Sequence, residues 1–212
     1  MDPSETRSRL NALLTAAGLT PVDDETAGKF ESYISLFIRW NRCLNLSAVR
    51  DEEGIMSRHI IESIEIARKL PQGIRTLLDF GSGAGLPGIP IALCRPEIAV
   101  TLAESQGKKA AFLREAVRAL GIETQVHAGR AEVLRTVFDC AVLRAVDRMP
   151  KAVAAAASLV APAGWLALMT TTSELEGLKR AAGVEFCWQT VKQLTSGSHR
   201  IIAIGSRRAH EG

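Results

Sequence analysis

A glycine-rich stretch at residues 76–90, TLLDFGSGAGLPGIP, has the residue types and spacing of a nucleotide-binding loop. An apolar run ends at the carboxylate Asp79, and glycines follow at alternate positions, Gly81, Gly83 and Gly85. Glycines let the backbone approach a ligand without a Cβ clash, and a helix starting behind them offers unpaired N–H groups. The stretch therefore predicts a strand, a ligand-binding loop and a helix. A glycine-rich turn without a ligand is the alternative.

The spacing of the glycines indicates which nucleotide would bind. The dinucleotide fingerprint G-x-G-x-x-G requires a third glycine where Leu86 stands, and there is no G-x-x-x-x-G-K-[ST] phosphate loop. The pattern D-x-G-x-G-x-G instead resembles the first motif of Rossmann-like S-adenosylmethionine methyltransferases. The resemblance implies S-adenosylmethionine as the cofactor.

The composition indicates one globular domain with a small additional region. The chain has 212 residues, 47% of them hydrophobic and 23% charged, which suits one core and an appendage. No apolar run has transmembrane length and the N-terminal sequence is polar, so we expect a cytoplasmic protein without membrane contact. Four separated cysteines without a C-x-x-C pair predict reduced core residues, with neither a metal site nor a disulfide.

The charge is unevenly distributed along the chain. Residues 1–72 hold nine basic and eleven acidic side chains, whereas residues 73–212 hold seventeen basic and twelve acidic ones. A basic C-terminal part suits a polyanionic substrate, because each neutralised phosphate adds electrostatic affinity. The bias is modest and gives only a hint of nucleic-acid binding.

The periodicity of residues 1–72 predicts an N-terminal helical region. Apolar spacing indicates helices over residues 5–17, from about Glu25, and over residues 58–70, and polar residues from Asn41 onward break the second helix. Within the last helix His59, Glu62 and Ser63 share one turn. We interpret them as a polar network packed against the next domain, and a metal site is the alternative.

From residue 73 strands and helices alternate, which predicts an α/β methyltransferase domain over residues 73–212. Five strands are followed by helices or loops, a turn at residues 162–164 precedes the fifth, and two last strands without a helix between them indicate a hairpin. The fold class is therefore a Rossmann-like sheet of seven mostly parallel strands, with an antiparallel terminal hairpin and the N-terminal helical extension.

Polar residues at the predicted strand ends are the candidate ligand contacts, because ligands bind at the carboxyl ends of such strands. Glu104 lies nineteen residues after Gly85, close to the position of a ribose-binding acid. Glu132 could accept from an adenine amino group while the Ala131 N–H donates to a ring nitrogen. The alternatives are a solvated strand-end acid for Glu104 and a helix-start acid for Glu132.

Arg144 ends the fourth strand, where the methyl acceptor would lie. An arginine can fork onto phosphate or guanine, and an ion pair with Glu104 or Glu132 is the alternative. The strand end lacks the [ND]-P-P-[YFW] motif of amino-group methylation, and no Pro-Cys pair supplies a nucleophile for pyrimidine chemistry. An acceptor with a free lone pair, such as a ring nitrogen, remains, and its methylation needs no general base.

Four blocks together resemble the ribosomal small-subunit methyltransferase G family, also called glucose-inhibited division protein B. They are LLDFGSGAGLPGIPIAL, ESQGKKAAFLRE at 104–115, GRAE at 129–132 and FDCAVLRAV at 138–146. Upstream, Trp40-Asn41, the run Asn45 to Ala48, and His59 with Ser63 resemble further family elements. The similarity covers roughly residues 33 to 205.

The resemblance implies methylation of N7 of a single guanine, position 527 of bacterial 16S ribosomal RNA, in the cytoplasm. The RNA would be bound within the 30S subunit or an assembly intermediate, and we expect a monomer. The resemblance implies cofactor contacts at Asp79, Gly81, Gly83, Gly85, Leu86, Glu104, Ala131, Glu132 and Arg144. RNA-binding candidates are Arg130, Arg144, Lys108, Lys109 and Arg200, and Arg144 is also the candidate for positioning the guanine.

The sequence departs from the family pattern at three places. Ser47 replaces a Thr and Glu62 an Asp, and Met169-Thr170 stands where Lys-Gly is frequent, which removes a cation near the site. Two other functions stay open from the sequence. One is methylation of another RNA or a small molecule, and the other is nucleotide or RNA binding without catalysis.

Overall fold

The computed structural model describes residues 3–195 and 199–209, which fold around one sheet with helices on both faces. The strands are β1 (Thr76–Phe80), β2 (Ala99–Glu104), β3 (Gln125–Ala128), β4 (Phe138–Arg144), β5 (Val160–Thr171), β6 (Phe186–Gln193) and β7 (Arg200–Arg207). Their order across the sheet is β3-β2-β1-β4-β5-β7-β6. Strands β1 to β5 pair in parallel and β7 pairs antiparallel with β5 and β6, so the predicted fold class is confirmed.

The helices precede and alternate with the strands. They are α1 (Pro3–Ala16), α2 (Asp24–Leu44), α3 (Glu52–Ile55), α4 (Ile61–Lys69), α5 (Gly88–Cys94), α6 (Gly107–Leu120), α7 (Met149–Ser158) and α8 (Leu175–Ala182). A π-helical turn, Met56–Ile60, joins α3 to α4, and a 3₁₀ turn, Ala131–Val133, follows β3. None of these helices has the length and apolar character needed to span a bilayer.

The strand order places a ligand site at one point on the sheet edge. The chain adds β2 and β3 on one side of β1 and then returns to add β4 on the other side. Crevices at such a switch point, outside the carboxyl ends of the strands, are where open α/β sheets bind ligands. The loop after β1 and the ends of β2 and β4 therefore surround the expected site.

Alternate side chains along each strand divide the core between the two faces of the sheet. On one face Leu77, Leu102 and Val142 pack with residues of α1, α2, α4, α5 and α6 in one cluster. On the other face Leu78 and Leu143 pack with α7 and α8. The N-terminal helices thus share a hydrophobic core with the sheet, and the domain boundary near residue 72 stays a prediction.

Helix α2 extends further than its polar C-terminal sequence predicts. Asn41 is 2% exposed, yet its side chain donates to the Val49 carbonyl and accepts from the Ser47 N–H, both at 2.8 Å. Since these bonds satisfy the buried amide, the helix continues to Leu44. It ends at Asn45, whose φ of 49° is left-handed.

Two other sequence-based expectations also need correction. The turn at residues 162–164 lies inside β5, at an irregularity where the register passes from Phe138–Val160 to Cys140–Trp165. The cysteines are not all core residues. Cys140 is buried and Cys94 partly so, whereas Cys43 and Cys187 are exposed because they lie on the solvent sides of α2 and β6.

Asp139 in β4 stabilises the start of β1, and we predict that Asp139→Ala lowers the free energy of unfolding by about 1–3 kcal/mol. The Oδ2 atom of Asp139 accepts from the backbone N–H groups of Arg75 and Thr76, both at 2.9 Å, and the variant leaves these donors unpaired. Urea denaturation at pH 7 measures the change. The exposed Glu123→Ala control should stay within about 0.5 kcal/mol of the wild type.

The stabilising effect of Asp139 should depend on pH. Burial alone would raise the pKa of this carboxyl, but the N–H groups of Arg75 and Thr76 outweigh it and lower the pKa below 3.8. A carboxyl whose pKa is lower in the folded state stabilises the fold at pH values above its unfolded-state pKa. This contribution is lost as the pH falls through the folded-state pKa. The difference in free energy of unfolding between the wild type and Asp139→Ala should therefore be largest at pH 7 and decrease below about pH 4. A pH-independent difference would contradict this.

Candidate active site

The glycine-rich loop is fixed from three sides. The N–H groups of Gly81 and Ser82 donate to the Ala103 carbonyl at the end of β2, at 2.9 and 3.0 Å. The Gly88 N–H donates to Asp79 Oδ2 at 3.0 Å, and burial raises the pKa of that carboxyl to about 7 although the Gly88 bond opposes the rise. From α2 the buried Tyr33 hydroxyl donates to the Ala84 carbonyl. These bonds hold the loop open toward the sheet edge.

The glycines of the loop have different roles. Gly83 has φ +56°, and a Cβ there would meet no atom closer than the Gly81 carbonyl oxygen at 3.9 Å, because that side of the residue faces a cavity. Gly85 has φ +83°, and its Cβ would lie 2.5 Å from Ile89 Cδ1. Gly85 therefore allows the loop to pack on α5, whereas Gly83 leaves space for a ligand.

A cavity of about 790 Å³, here named the cofactor cavity, lies along the carboxyl ends of β1, β2, β3 and β4. Most of the predicted site residues line it, namely Gly81, Gly83, Leu86, Glu104, Lys109, Arg130, Ala131, Glu132, Arg144 and Arg200. Three predicted residues do not: Asp79 and Gly85 are buried behind the loop, and Lys108 is exposed on α6. Asp79 and Gly85 therefore help to shape the loop but do not form part of the cavity wall.

Two backbone N–H groups hold the carboxylate of Glu104 in the cavity wall. Its side chain accepts from the Gly83 N–H on Oε2 at 2.9 Å and from the Gln106 N–H on Oε1 at 2.7 Å. The residue is only 6% exposed. Each carboxylate oxygen has about two acceptor positions, so both retain one for the hydroxyls of a ribose. Glu132, by contrast, is exposed and pairs with Arg130 at 3.0 Å.

Arg144 is bound by the N-terminal region rather than by the strand ends. Its Nη2 donates to the Arg58 carbonyl at 3.0 Å and to His59 Nδ1 at 2.6 Å. Because a guanidinium only donates, Nδ1 must accept, and the ring hydrogen lies on Nε2. That nitrogen donates to Ser47 Oγ at 2.7 Å. Burial, and then the charge of Arg144, lower the pKa of His59 to about 3, so the imidazole is neutral.

The acidic partner of Arg144 is Glu62, and the sequence-based alternatives Glu104 and Glu132 are not its partners. Glu62 is fully buried and lies 3.3 Å from Arg144 Nη2 and 2.8 Å from Arg200 Nη1. Both arginines come from the far part of the chain, on β4 and β7. The turn of polar residues on α4 is thus the predicted packed network. Within residues 3–195 and 199–209 no cluster suited to a metal ion occurs.

The cavity has further polar residues that sequence reasoning missed. Ser47 and His59 lie on its wall, and Arg148 and Lys151 add two cations beside α7. Arg148 has φ +54°, which a periodicity argument cannot detect. Their place in the chain, four and seven residues after the end of the fourth strand, was the one available signal for Arg148 and Lys151. With Lys109, Arg130 and Arg200, these residues surround the cavity with positive charge.

Comparison with known proteins assigns the chain to a family. The family model described as rRNA small subunit methyltransferase G, GidB, matches residues 26–202. The chain belongs to this family.

Individual relatives agree with the family assignment. A ribosomal RNA small subunit methyltransferase G of Xanthomonas oryzae pv. oryzae is 40% identical over 151 residues, covering 70% of each chain. The protein of the same description from Neisseria meningitidis serogroup A is 36% identical over 167 residues, 78% of this chain and 80% of the relative. Among solved structures, a Bacillus cereus O-methyltransferase in complex with SAH covers 96% of this chain and 99% of its own, with TM-score 0.60 and 17% identity. That structure supports the fold.

The residues present fit S-adenosylmethionine. Gly83 leaves free the volume that a side chain would fill, and Glu104 offers two oxygens at the position of a ribose. Ala131 begins a helical turn, whose first N–H groups lack intrahelical partners and suit a ring-nitrogen acceptor. Cofactor contacts by these individual residues remain predictions.

We predict that Gly83→Asp abolishes binding of S-adenosylmethionine. The new side chain would project into the cofactor cavity, and its charge would lie near Glu104, which the Gly83 N–H now contacts. Isothermal titration calorimetry measures the affinity.

The control is Gly177→Ala in α8, where the nearest atom to the new Cβ is an Arg180 nitrogen at 4.0 Å. This variant should bind the cofactor as the wild type does. Unchanged affinity in Gly83→Asp would show that the cofactor binds elsewhere.

Proposed function

We propose that this protein transfers a methyl group from S-adenosylmethionine to N7 of a single guanine of bacterial 16S ribosomal RNA. Membership of the rRNA small subunit methyltransferase G family supports this function. We further propose that it acts as a monomer in the cytoplasm, on the 30S subunit or an assembly intermediate.

The cofactor would lie along the sheet edge in the order of the strands. In this arrangement Ala131 and Glu132 contact the adenine, Glu104 binds the ribose hydroxyls, and the loop from Gly81 to Leu86 contacts the methionine part. Since β3, β2, β1 and β4 are neighbours in that order, the methionine end lies next to Arg144. The acceptor then approaches from the side of β4.

N7 as the acceptor follows from membership of the family, and the state of His59 agrees with it. Its Nδ1 accepts from Arg144, its Nε2 donates to Ser47, and its pKa is about 3. The imidazole therefore cannot serve as a general base at neutral pH. Guanine N7 needs no deprotonation because its lone pair is free.

The reaction balances without a proton acceptor. When bound, S-adenosylmethionine would supply a sulfonium methyl group, and the new bond from N7 to carbon would replace the carbon–sulfur bond, whose electron pair would stay on sulfur. The protein's part is to hold the two groups in line and to exclude water. Arg144 can donate to guanine O6, but a bond to N7 would occupy the reacting lone pair.

The cations around the cavity suit an RNA substrate. Lys109, Arg130, Arg148, Lys151 and Arg200 line it, and Lys108 lies beside it on α6. Each contact to a phosphate releases counterions and adds affinity that falls with salt. Arg200 pairs in register with Thr171, so the rim near Met169 keeps a cation although the frequent family lysine is absent.

The proposed function is tested with radiolabelled S-adenosylmethionine and 30S subunits from a strain that lacks this enzyme. We expect label on one guanine, with chain cleavage there after borohydride and aniline, the chemistry specific to 7-methylguanine. Cofactor binding without label on 30S subunits or free 16S RNA would contradict the proposal.

We predict that Arg130→Ala lowers kcat/KM for the RNA severalfold and reduces the slope of log(kcat/KM) against log[salt] by about one, the loss of one phosphate contact. Cofactor affinity should change little, because the Arg130 side chain is exposed and bonds only Glu132 among the described residues. Arg118→Ala, exposed on α6 away from the cavity, is the matched control. Equal losses of RNA methylation and cofactor affinity would contradict an RNA contact.

A further inference from the structure

A second cavity, here named the acceptor cavity, continues the sheet edge beyond the cofactor cavity. It has a volume of about 310 Å³ and lies at the carboxyl ends of β4 and β5. The two cavities share Arg144, Ala145, Val146 and Arg200. A group bound in the acceptor cavity would therefore adjoin the methionine end of the cofactor.

The walls of the acceptor cavity suit a planar base. Met169 and Leu194 are almost fully buried and Met149 partly so, and all three line the cavity. Flexible methionine side chains adapt to flat aromatic surfaces. The volume lies at the lower end of the range for small-ligand sites, about 300–1,000 Å³.

One carboxylate, the exposed Glu174, lines this cavity, and two neighbouring hydroxyls orient it. Glu174 Oε2 accepts from the hydroxyls of Thr170 at 3.0 Å and Thr171 at 2.8 Å. These hydroxyls, that of Thr171 first, lower the pKa of Glu174, so the group is ionised and only accepts at neutral pH. Among the described residues none donates a hydrogen bond to Oε1 of Glu174. This oxygen is therefore available to a ligand.

The positions of the charges match the two edges of guanine. Guanine presents donors, N1–H and N2–H₂, on one edge and acceptors, O6 and N7, toward the opposite side. A carboxylate on the β5 side and the Arg144 guanidinium on the β4 side complement this pattern. Binding of the donor edge by a carboxylate leaves N7 directed at the cofactor cavity. Adenine and cytosine lack two adjacent donors on that edge.

We propose that the acceptor cavity binds the target guanine and that Glu174 determines specificity by accepting from its N1–H and N2–H₂. This inference rests on the proposed function and adds the means by which the base is selected. Thr170 and Thr171 are positioning residues, because they act through Glu174.

The test is a double-mutant cycle that combines the Glu174→Gln variant with a change of the target base. Semisynthetic 16S RNA with guanine or inosine at the mapped position is reconstituted into 30S subunits, and kcat/KM is measured for each. Inosine lacks only the N2 amino group. We expect the wild type to prefer guanine by at least about tenfold, the usual effect of one hydrogen bond to a charged group. Glu174→Gln should lose most of that preference and bind the cofactor normally by calorimetry.

Glu176→Gln, two residues further along at the start of α8, is the matched control, since Glu176 pairs with Lys179 at 2.9 Å outside both cavities. It should keep the wild-type preference. An identical guanine-to-inosine ratio in the wild type and Glu174→Gln overturns the specificity role while the methyltransferase function stands. Absence of transfer to either RNA by the wild type overturns the proposed function and this inference with it.

Discussion

The buried carboxylate of Glu62 is the constraint on which the site depends. A charge without solvent contact requires compensation, and here it comes from Arg144 on β4 and Arg200 on β7. Glu62 itself lies on α4, so the N-terminal helices take part in forming the active site. Removing one member of such a group leaves an uncompensated charge, at a cost of about 3–5 kcal/mol. The helical region therefore determines where Arg144 points.

The same network explains the chemistry that the site favours. Burial, and then the charge of Arg144, lower the pKa of His59, and the bond from Arg144 fixes the ring hydrogen on Nε2, which bonds Ser47. A histidine engaged on both nitrogens orients its neighbours and takes no proton. A reaction that needs only alignment, such as methylation of a ring nitrogen with a free lone pair, fits this arrangement. Arg144 lines both cavities.

The sequence predicted the features of the fold that depend on local residue patterns. The strand, loop and helix predicted over residues 76–90 are present as β1, the glycine-rich loop and the start of α5. Long-range pairing was not accessible in this way, because nothing in the spacing of Glu62 and Arg144 along the chain indicates that they meet. The same limit applies to Asn41, whose buried bonds to Ser47 and Val49 keep α2 helical, and to Glu174, whose bonds to Thr170 and Thr171 no local pattern indicates.

We propose that the cofactor runs along the sheet edge from β3 to β4, with its reactive end beside the acceptor cavity. A crystal structure of the protein with S-adenosylhomocysteine tests it most directly. The account predicts ribose hydroxyls on both oxygens of Glu104, the adenine beside Ala131, and the sulfur at the Arg144 end. A sulfur atom at the β3 end, or a ribose without contact to Glu104, would contradict it.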